Sequence, residues 1–274
     1  MELTHIRNAS APQLAQLLRD DRYAFAVLGN IVRGEAGPVQ KIVTDHARLI
    51  LGYTCPPYPG WVWLPQDADE AELARAWALI REELPPEAGY RVNMRPELAR
   101  YILGTPEGAH LRVDMRLDAY GCEAVLPPAK AAPGDMVAVG MEALPEAVRF
   151  AMASSAETGL DPLTREACEA EQRGFIERRR LFMWRLPDGQ NAAMCAVTEN
   201  GGLGYIGHVY TPQAHRRQGY AANLVYHVTR AMLVQGMKPA LCVVSTNTAA
   251  ATCYAQLGYR VRGSFCTIGM QREA

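Results

Sequence analysis

The sequence predicts an α/β (α+β) protein made of two halves, each a mixed sheet covered by helices. Segments with helical periodicity alternate along the chain with short segments of strand composition. Both halves share one order of elements: two helices, three strands, a helix, a strand, a helix and a strand, with one further strand in front of the second half. Prolines and small residues at 126–134 predict a linker, so we expect one domain over residues 1–130 and another over 131–274.

The composition is that of a globular protein in a reducing compartment. Hydrophobic residues make up 49% of the 274 residues and charged residues 21%. The formal net charge of −1 gives no general attraction to nucleic acid. The seven cysteines have no metal-ligand spacing, which indicates packed, reduced thiols and no metal. The N-terminus has no apolar segment of signal-peptide type, and no apolar run is long enough to span a membrane. We therefore expect a cytoplasmic protein with no membrane partner.

Local patterns place the elements of the first half. Leu14, Leu17 and Leu18 have helical spacing and predict a short first helix. Asp67 and Glu70 have the spacing of a capping box and predict the start of a later helix. The other elements expected here are helices at 21–32 and 96–103 and strands at 39–43, 48–53, 61–64 and 91–94.

A half-buried strand is predicted where apolar and charged residues alternate strictly near the end of the first half. Its apolar members are Leu111, Val113, Met115 and Leu117. In the second half we expect strands at 136–141, 181–185, 192–197, 204–210, 241–244 and 259–269, and helices at 145–154, 162–178, 219–235 and 248–257. Turns at 187–189 and 200–202 connect the central strands.

The stretch 209–222 predicts an anion site. A strand ends there, a loop follows, and a helix begins at glycine, with Arg216, Gly219 and Ala221 spaced as R-x-x-G-x-A. The small residues let the backbone approach a bulky anion, and the helix N-terminus directs N–H groups toward it. Arg216 and Arg217 add positive charge, so the stretch suits a pyrophosphate. The alternative is a strand-to-helix connection with an exposed basic loop.

A second stretch, 247–259, follows the next strand. Asn247 can cap a helix there and Gly258 can end it in a left-handed conformation. The two stretches resemble the coenzyme A signatures of the GNAT superfamily of N-acetyltransferases, the pyrophosphate loop Q/R-x-x-G-x-G/A and the segment N-x-x-A-x-x-x-Y-x-x-x-G-F/Y. The second segment is matched by Asn247, Ala250, Tyr254, Gly258 and Tyr259.

This resemblance covers about residues 135–270 and implies a mostly antiparallel GNAT sheet flanked by helices. It implies acetyl-CoA as co-substrate, no metal, and a V-shaped opening between the strands at 204–210 and 241–244. The pantetheine arm would pair with main-chain groups near the end of the first of these strands. The residues expected to bind CoA are His208, Val209, Tyr210, Thr211, Arg216, Arg217, Gln218, Gly219, Tyr220, Ala221, Ala222, Asn247, Ala250 and Tyr254.

The resemblance also implies direct attack of a neutral amine on the thioester. Tyr254 is the candidate acid for the leaving thiolate, since a thiol has a pKa of about 8.5 and a tyrosine about 10; the alternative is a ring that only packs. The strand at 204–210 lacks the glutamate that serves as base in some family members. His208 is a weak candidate for that role, a packed or exposed histidine being the simpler interpretation. Glu199 and a water chain are the other options.

The first half matches the GNAT order of elements but not its chemistry. Where the pyrophosphate loop would lie, the sequence has neither glycine nor arginine but three carboxylates, Asp67, Asp69 and Glu70. Such a helix start repels a pyrophosphate. We therefore expect a degenerate GNAT-like half that packs against the second half and shapes the acceptor pocket. The alternative is an unrelated α/β domain.

The leading functional hypothesis is an acetyl-CoA-dependent N-acetyltransferase that acts on a small-molecule amine. Its partners would be acetyl-CoA and that amine, and a homodimer is compatible with the sequence. The alternatives are a CoA-binding pseudoenzyme or sensor, and an acetyltransferase of protein N-termini or lysines. The missing glutamate on the strand at 204–210 is the feature that favours a pseudoenzyme.

Overall fold

The computed structural model describes residues 3–35, 39–54, 58–84, 90–158, 164–200 and 202–270. The chain forms two compact units. The first comprises Met1–Ala119, Cys242–Asn247 and Val261–Ala274, and the second comprises Tyr120–Leu241 and Thr248–Arg260. The first unit thus includes two segments from the C-terminal half of the sequence, and the division expected at residue 130 stays a prediction.

The elements before residue 122 are β1 (Thr4–Arg7), α1 (Ala26–Arg33), β2 (Lys41–Thr44), β3 (Ile50–Tyr53), β4 (Gly60–Trp63), α2 (Glu70–Glu83), β5 (Arg91–Met94), α3 (Pro96–Leu103) and β6 (Leu111–Gly121). Those that follow are β7 (Asp135–Ala138), α4 (Leu144–Thr158), α5 (Arg165–Glu177), β8 (Leu181–Arg185), β9 (Asn191–Asn200), β10 (Leu203–Tyr210), α6 (Tyr220–Val234), β11 (Pro239–Val244), α7 (Thr248–Gln256) and β12 (Arg260–Met270).

The two units repeat one sheet arrangement. In the first, β1 to β4 pair antiparallel in sequence order and β4 pairs parallel with β5. In the second, β7 to β10 pair antiparallel in the same way and β10 pairs parallel with β11. Each unit buries its own apolar core between sheet and helices. The predicted fold class, a mixed and mostly antiparallel GNAT sheet flanked by helices, is confirmed, and β1 gives the first half the leading strand that was expected only in the second.

The last strand of the chain completes the sheet of the first unit. β12 pairs antiparallel with β5, from Cys266 opposite Met94 to Gly269 opposite Arg91. The side chain of Thr267 donates a hydrogen bond to Asn93 Oδ1 at 2.6 Å, and both residues are buried. Because a buried amide needs partners, this contact fixes the register of the two strands.

Two predicted helices of the first half differ from the structure. The helix expected over 21–32 begins at Ala26, because the Asp21 carboxylate binds tertiary partners, the guanidinium of Arg95 and the indole Nε1 of Trp63. Residues 12–16 form a short 3₁₀ turn in place of the first predicted helix.

The capping box of α2 was also misplaced. It is formed by Asp69 and Glu72 rather than by Asp67 and Glu70, since the Asp67 carboxylate accepts a hydrogen bond from Arg48 at 2.9 Å.

The sequence pattern missed β1 because that strand is short and exposed and has a single aliphatic residue, Ile6. The strand predicted from residue 111 is present as β6, but the burial expected for its apolar face is wrong. Leu111 is buried, whereas the side chain of Val113 is exposed. Alternation shows which side chains share a face, not whether another element covers that face. The predicted helix start at residue 162 and the turn residue Gly201 lie outside the described residues.

Replacing Thr267 by Val tests the contact between β12 and β5. We expect Thr267→Val to lower the free energy of unfolding by about 1–3 kcal/mol, because the buried Asn93 Oδ1 loses its donor. Urea unfolding followed by tryptophan fluorescence measures this, since Trp61, Trp63 and Trp77 all lie in the first unit. Thr4→Val removes an exposed hydroxyl from β1 and should change stability by less than about 0.5 kcal/mol. Equal stability of the two variants would contradict the buried hydrogen bond from Thr267 to Asn93.

Candidate functional site

The end of β10 departs from regular pairing. Gly207 lies opposite Ala196, the next pair is Tyr210 with Met194, and the register shifts between them. His208 has a left-handed φ of 52° within this bulge. β10 pairs with β11 at Gly204 and Tyr205, before the bulge. The main-chain groups of His208 and Val209 thus lie outside the regular ladder, where an added ligand can pair with them.

The loop after β10 presents an open helix N-terminus. α6 begins at Tyr220, and its N-cap, Gly219, has a φ of 90° and no side chain to cap the first turn. The N–H groups of Tyr220, Ala221 and Ala222 belong to this turn, which contains no acidic residue. A helix start of this kind attracts anions through its free N–H groups and its dipole.

Contacts within the loop fix its shape. Gln218 donates to the carbonyl of Ala214 at 3.2 Å and accepts a hydrogen bond from the Tyr220 hydroxyl at 3.0 Å. Arg217 is exposed and has a left-handed φ of 63°. Asn223 Nδ2, one turn into α6, donates to the carbonyl of Lys130 at 2.9 Å and so ties the segment 126–134 to this helix.

A buried hydroxyl at the start of the loop lacks a partner. Thr211 Oγ1 is inaccessible to solvent and makes no hydrogen bond with any described residue. The main-chain carbonyl of Thr211 accepts from Arg216 Nε at 2.9 Å. Since buried polar groups normally find partners, the orphaned hydroxyl fits a residue that hydrogen-bonds a ligand.

Glu157, in the last turn of α4, pairs with Arg216. Its carboxylate forms an ion pair with the guanidinium and accepts a hydrogen bond from the Tyr210 hydroxyl at 3.0 Å. The bond to Arg216 holds the pKa of Glu157 below its usual value, and burial together with Glu157 raises the pKa of Tyr210. Sequence reasoning missed Glu157, because an acidic residue near a helix end has no pattern that distinguishes it from a solvated charge.

The two candidate catalytic residues have different surroundings. His208 Nε2 lies 3.5 Å from Glu171 Oε1, and its ring packs on Phe175 at 5.1 Å between centroids; both neighbours belong to α5. Tyr254, on α7, is buried and packs edge-on against Tyr259 at 6.1 Å. Burial raises the pKa of Tyr254, so its hydroxyl stays protonated above the usual value of about 10.

The remaining predicted residues lie at the start of α7. The N–H of Asn247 donates to the carbonyl of Val244 at 2.7 Å, which forms a turn directly before this helix. Ala250 lies in the first turn of α7. Among the described residues, no group of His, Cys, Asp and Glu could hold a metal ion.

The corresponding helix of the first unit, α2, is closed to anions. The Asp69 side chain accepts from the N–H of Glu72, and the Glu72 side chain accepts from the N–H of Asp69. Glu70 adds a further carboxylate to this first turn. Two N–H groups at this helix start are therefore satisfied within the chain, with the carboxylates of Asp69 and Glu70 beside them, while Glu72 is also paired with Arg48.

Comparison with known proteins supports the fold. Residues 186–267 match the family model described as FR47-like protein. An acetyltransferase of the GNAT family from Colwellia psychrerythraea is 17% identical, with a TM-score of 0.61 over 99% of this chain and 100% of that one. A GCN5-related N-acetyltransferase from Sphaerobacter thermophilus is 16% identical, with a TM-score of 0.67 over 99% and 97%. A tandem GNAT protein from the clavulanic acid biosynthesis pathway is 16% identical, with a TM-score of 0.53 over the whole of both chains.

The chain has the two-domain GNAT fold. The resemblance seen in the sequence is thereby confirmed, and the matched family segment includes both the loop before α6 and the helix α7. No curated protein sequence matches the chain. Within the described part of the chain, no helix is long and apolar enough to cross a membrane.

We expect Glu157→Gln to strengthen binding of inorganic pyrophosphate about twofold to fivefold, because it releases Arg216 from a competing carboxylate. Calorimetry at low ionic strength measures this, and added salt should shrink the difference. The matched control is Glu177→Gln, which removes an exposed charge from α5 and should leave the affinity unchanged. Weaker pyrophosphate binding by Glu157→Gln would mean that Glu157 positions Arg216 for the anion instead of competing with it.

Proposed function

We propose that this GNAT protein transfers an acetyl group from acetyl-CoA to the amine of a small molecule. The observation that carries the proposal is the start of α6, where Gly219 leaves the first-turn N–H groups open. The orphaned hydroxyl of Thr211 lies at the beginning of the same loop. A diphosphate supplies the oxygen acceptors that these donors lack.

The second unit would hold one acetyl-CoA per chain. First-turn N–H groups of α6, with Arg216, Arg217 and Gln218 beside them, would receive the pyrophosphate. Main-chain groups around the bulge at His208 would pair with the pantetheine arm like an added strand. The closed start of α2 supports a single site, because its carboxylates already compete for the donors of that helix.

Tyr254 would supply the proton that the leaving sulfur takes up. Its hydroxyl is protonated throughout the usual assay range because burial raises its pKa. The same shift makes it a weaker acid than an ordinary tyrosine, so its role depends on position close to the sulfur more than on acidity. His208, beside the Glu171 carboxylate, is the proposed base, since a carboxylate partner holds an imidazole in a fixed orientation.

A cavity in the second unit supports a small acceptor. It has a volume of about 610 Å³, within the range of small-molecule sites. Phe150 and Tyr210 line it together with Glu146 and Asn191. Glu146 accepts hydrogen bonds from Asn191 at 2.6 Å and from Arg149, another residue of the lining, at 2.8 Å, so the cavity contains a fixed network of polar groups that can orient a small polar acceptor.

Gly219→Glu tests the CoA site. We expect CoA affinity to fall at least about tenfold, because the new carboxylate lies beside the pyrophosphate and the position has a left-handed φ. Gly236→Glu is the matched control, since Gly236 also has a left-handed φ, has open space around it and follows the far end of α6. Calorimetry should give one CoA per chain for the parent. Equal affinities for the two variants, or two CoA molecules per chain, would contradict the assignment.

Tyr254→Phe tests the proton donor. We expect kcat to fall by about 10²–10⁴ with CoA affinity nearly unchanged, since the hydroxyl acts only as the thiolate leaves. A thiol-release assay over a panel of amines measures this. Tyr226→Phe, which removes a hydroxyl from α6, should keep full activity. If Tyr254→Phe also kept full activity at every pH tested, the proton would have to come from another group or from water.

A further inference from the structure

The first unit contains an apolar cavity that the proposed transfer does not use. Its volume is about 390 Å³, which is in the range of small-molecule sites. Residues of α2, α3, β5, β6 and β12 line it, all of them within the first unit. The main apolar side chains of the lining are Trp77, Ile80, Val92, Met94, Ile102 and Ile268.

Two polar groups in this lining have no hydrogen-bond partner among the described residues, the indole Nε1 of Trp77 and the hydroxyl of Tyr90. Trp77 is 7% exposed, and its indole Nε1 is buried without an acceptor among the described residues. An indole N–H is only a donor, so the group it lacks is an oxygen or nitrogen acceptor. An orphaned donor beside a cavity of ligand size therefore indicates a ligand with an acceptor atom.

The lining of the cavity also contains one positive and one negative side chain, Arg81 and Glu107. Arg81, one turn after Trp77 on α2, lies over the Trp77 ring with its Cζ 5.2 Å from the centroid. Its other partner, Glu107, is 3.9 Å away, and both side chains are about half exposed. An ion pair this loose and this exposed is weak, so Arg81 remains available to an anion.

We propose that this cavity binds a monocarboxylic acid with an apolar body, such as a medium-chain fatty acid. The body fills the apolar lining, and the carboxylate accepts a hydrogen bond from Trp77 Nε1 and pairs with Arg81. A carboxylate here lies near the C-terminal end of α2, where the helix dipole opposes it. Arg81 is therefore needed to hold the anion, and a neutral alcohol of equal length gains less from the site. This inference concerns the first unit alone and does not rest on acetyl transfer.

Calorimetry with the intact chain tests the proposal, using octanoate, octanol and octylamine as probes. We expect octanoate to bind with a Kd below about 1 mM and at least about fivefold more tightly than octanol, with octylamine weakest. Arg81→Gln should reduce octanoate binding to the level of octanol. Arg100→Gln, which removes an exposed arginine from α3 outside the lining, should not change it. A Kd above 1 mM, or equal octanoate affinities of the two arginine variants, would overturn the proposal.

Two further measurements locate the ligand. In the nitrogen–proton NMR spectrum, octanoate should shift the indole signal that Trp77→Phe removes; an unmoved signal would place the acid elsewhere. Leu111→Trp adds bulk to the lining and should abolish binding of octanoate and octanol alike, whereas retained binding would overturn the site. If this variant does not fold, the indole signal of the parent protein still shows whether octanoate binds in this cavity or elsewhere.

Discussion

The first N–H groups of an α-helix have no partner within the helix, and α2 and α6 satisfy them in opposite ways. The two helices occupy the same place in their units, each following the fourth strand of an antiparallel run and preceding a parallel strand. In α2 the donors are met by Asp69 and Glu72. In α6 a left-handed glycine leaves them open. The residue at the N-cap thus distinguishes a helix start that is capped by its own side chains from one whose N–H groups stay open to the proposed anion.

Backbone groups make up most of the proposed CoA site. The bulge at His208, the left-handed Gly219 and the first turn of α6 all contribute main-chain atoms. Arg216, the arginine of the R-x-x-G-x-A motif, is paired with Glu157. A site of this kind depends on conformation more than on side-chain charge, since main-chain donors keep their direction when neighbouring side chains change. A short motif such as R-x-x-G-x-A can therefore indicate a site of this kind, because few side chains are needed to form it.

The sequence predicted local secondary structure well and tertiary contacts poorly. β5, α3 and β8 were placed to the residue, because each has strong periodicity or a proline at its start. The N-cap of α2 was misplaced by two residues because Arg48, distant in sequence, binds Asp67. Glu157 was missed, since its role depends on how the end of α4 meets the loop after β10. The partner strand of β12 could not be predicted either, because a strand pattern identifies a strand but not the neighbour with which it pairs.

Because β12 pairs with β5, the fold needs the first unit even though the start of its α2 is capped by its own side chains. The buried hydrogen bond from Thr267 to Asn93 belongs to the core of the first unit, yet Thr267 follows the proposed CoA-binding segments in sequence. Loss of residues 1–119 would therefore leave β12 without its partner strand and expose its apolar side chains. A unit retained for this reason is free to change at its surface. Closing the N-terminal end of α2 leaves the C-terminal end, where Trp77 and Arg81 border the cavity, as the place on this helix where a separate ligand site can form.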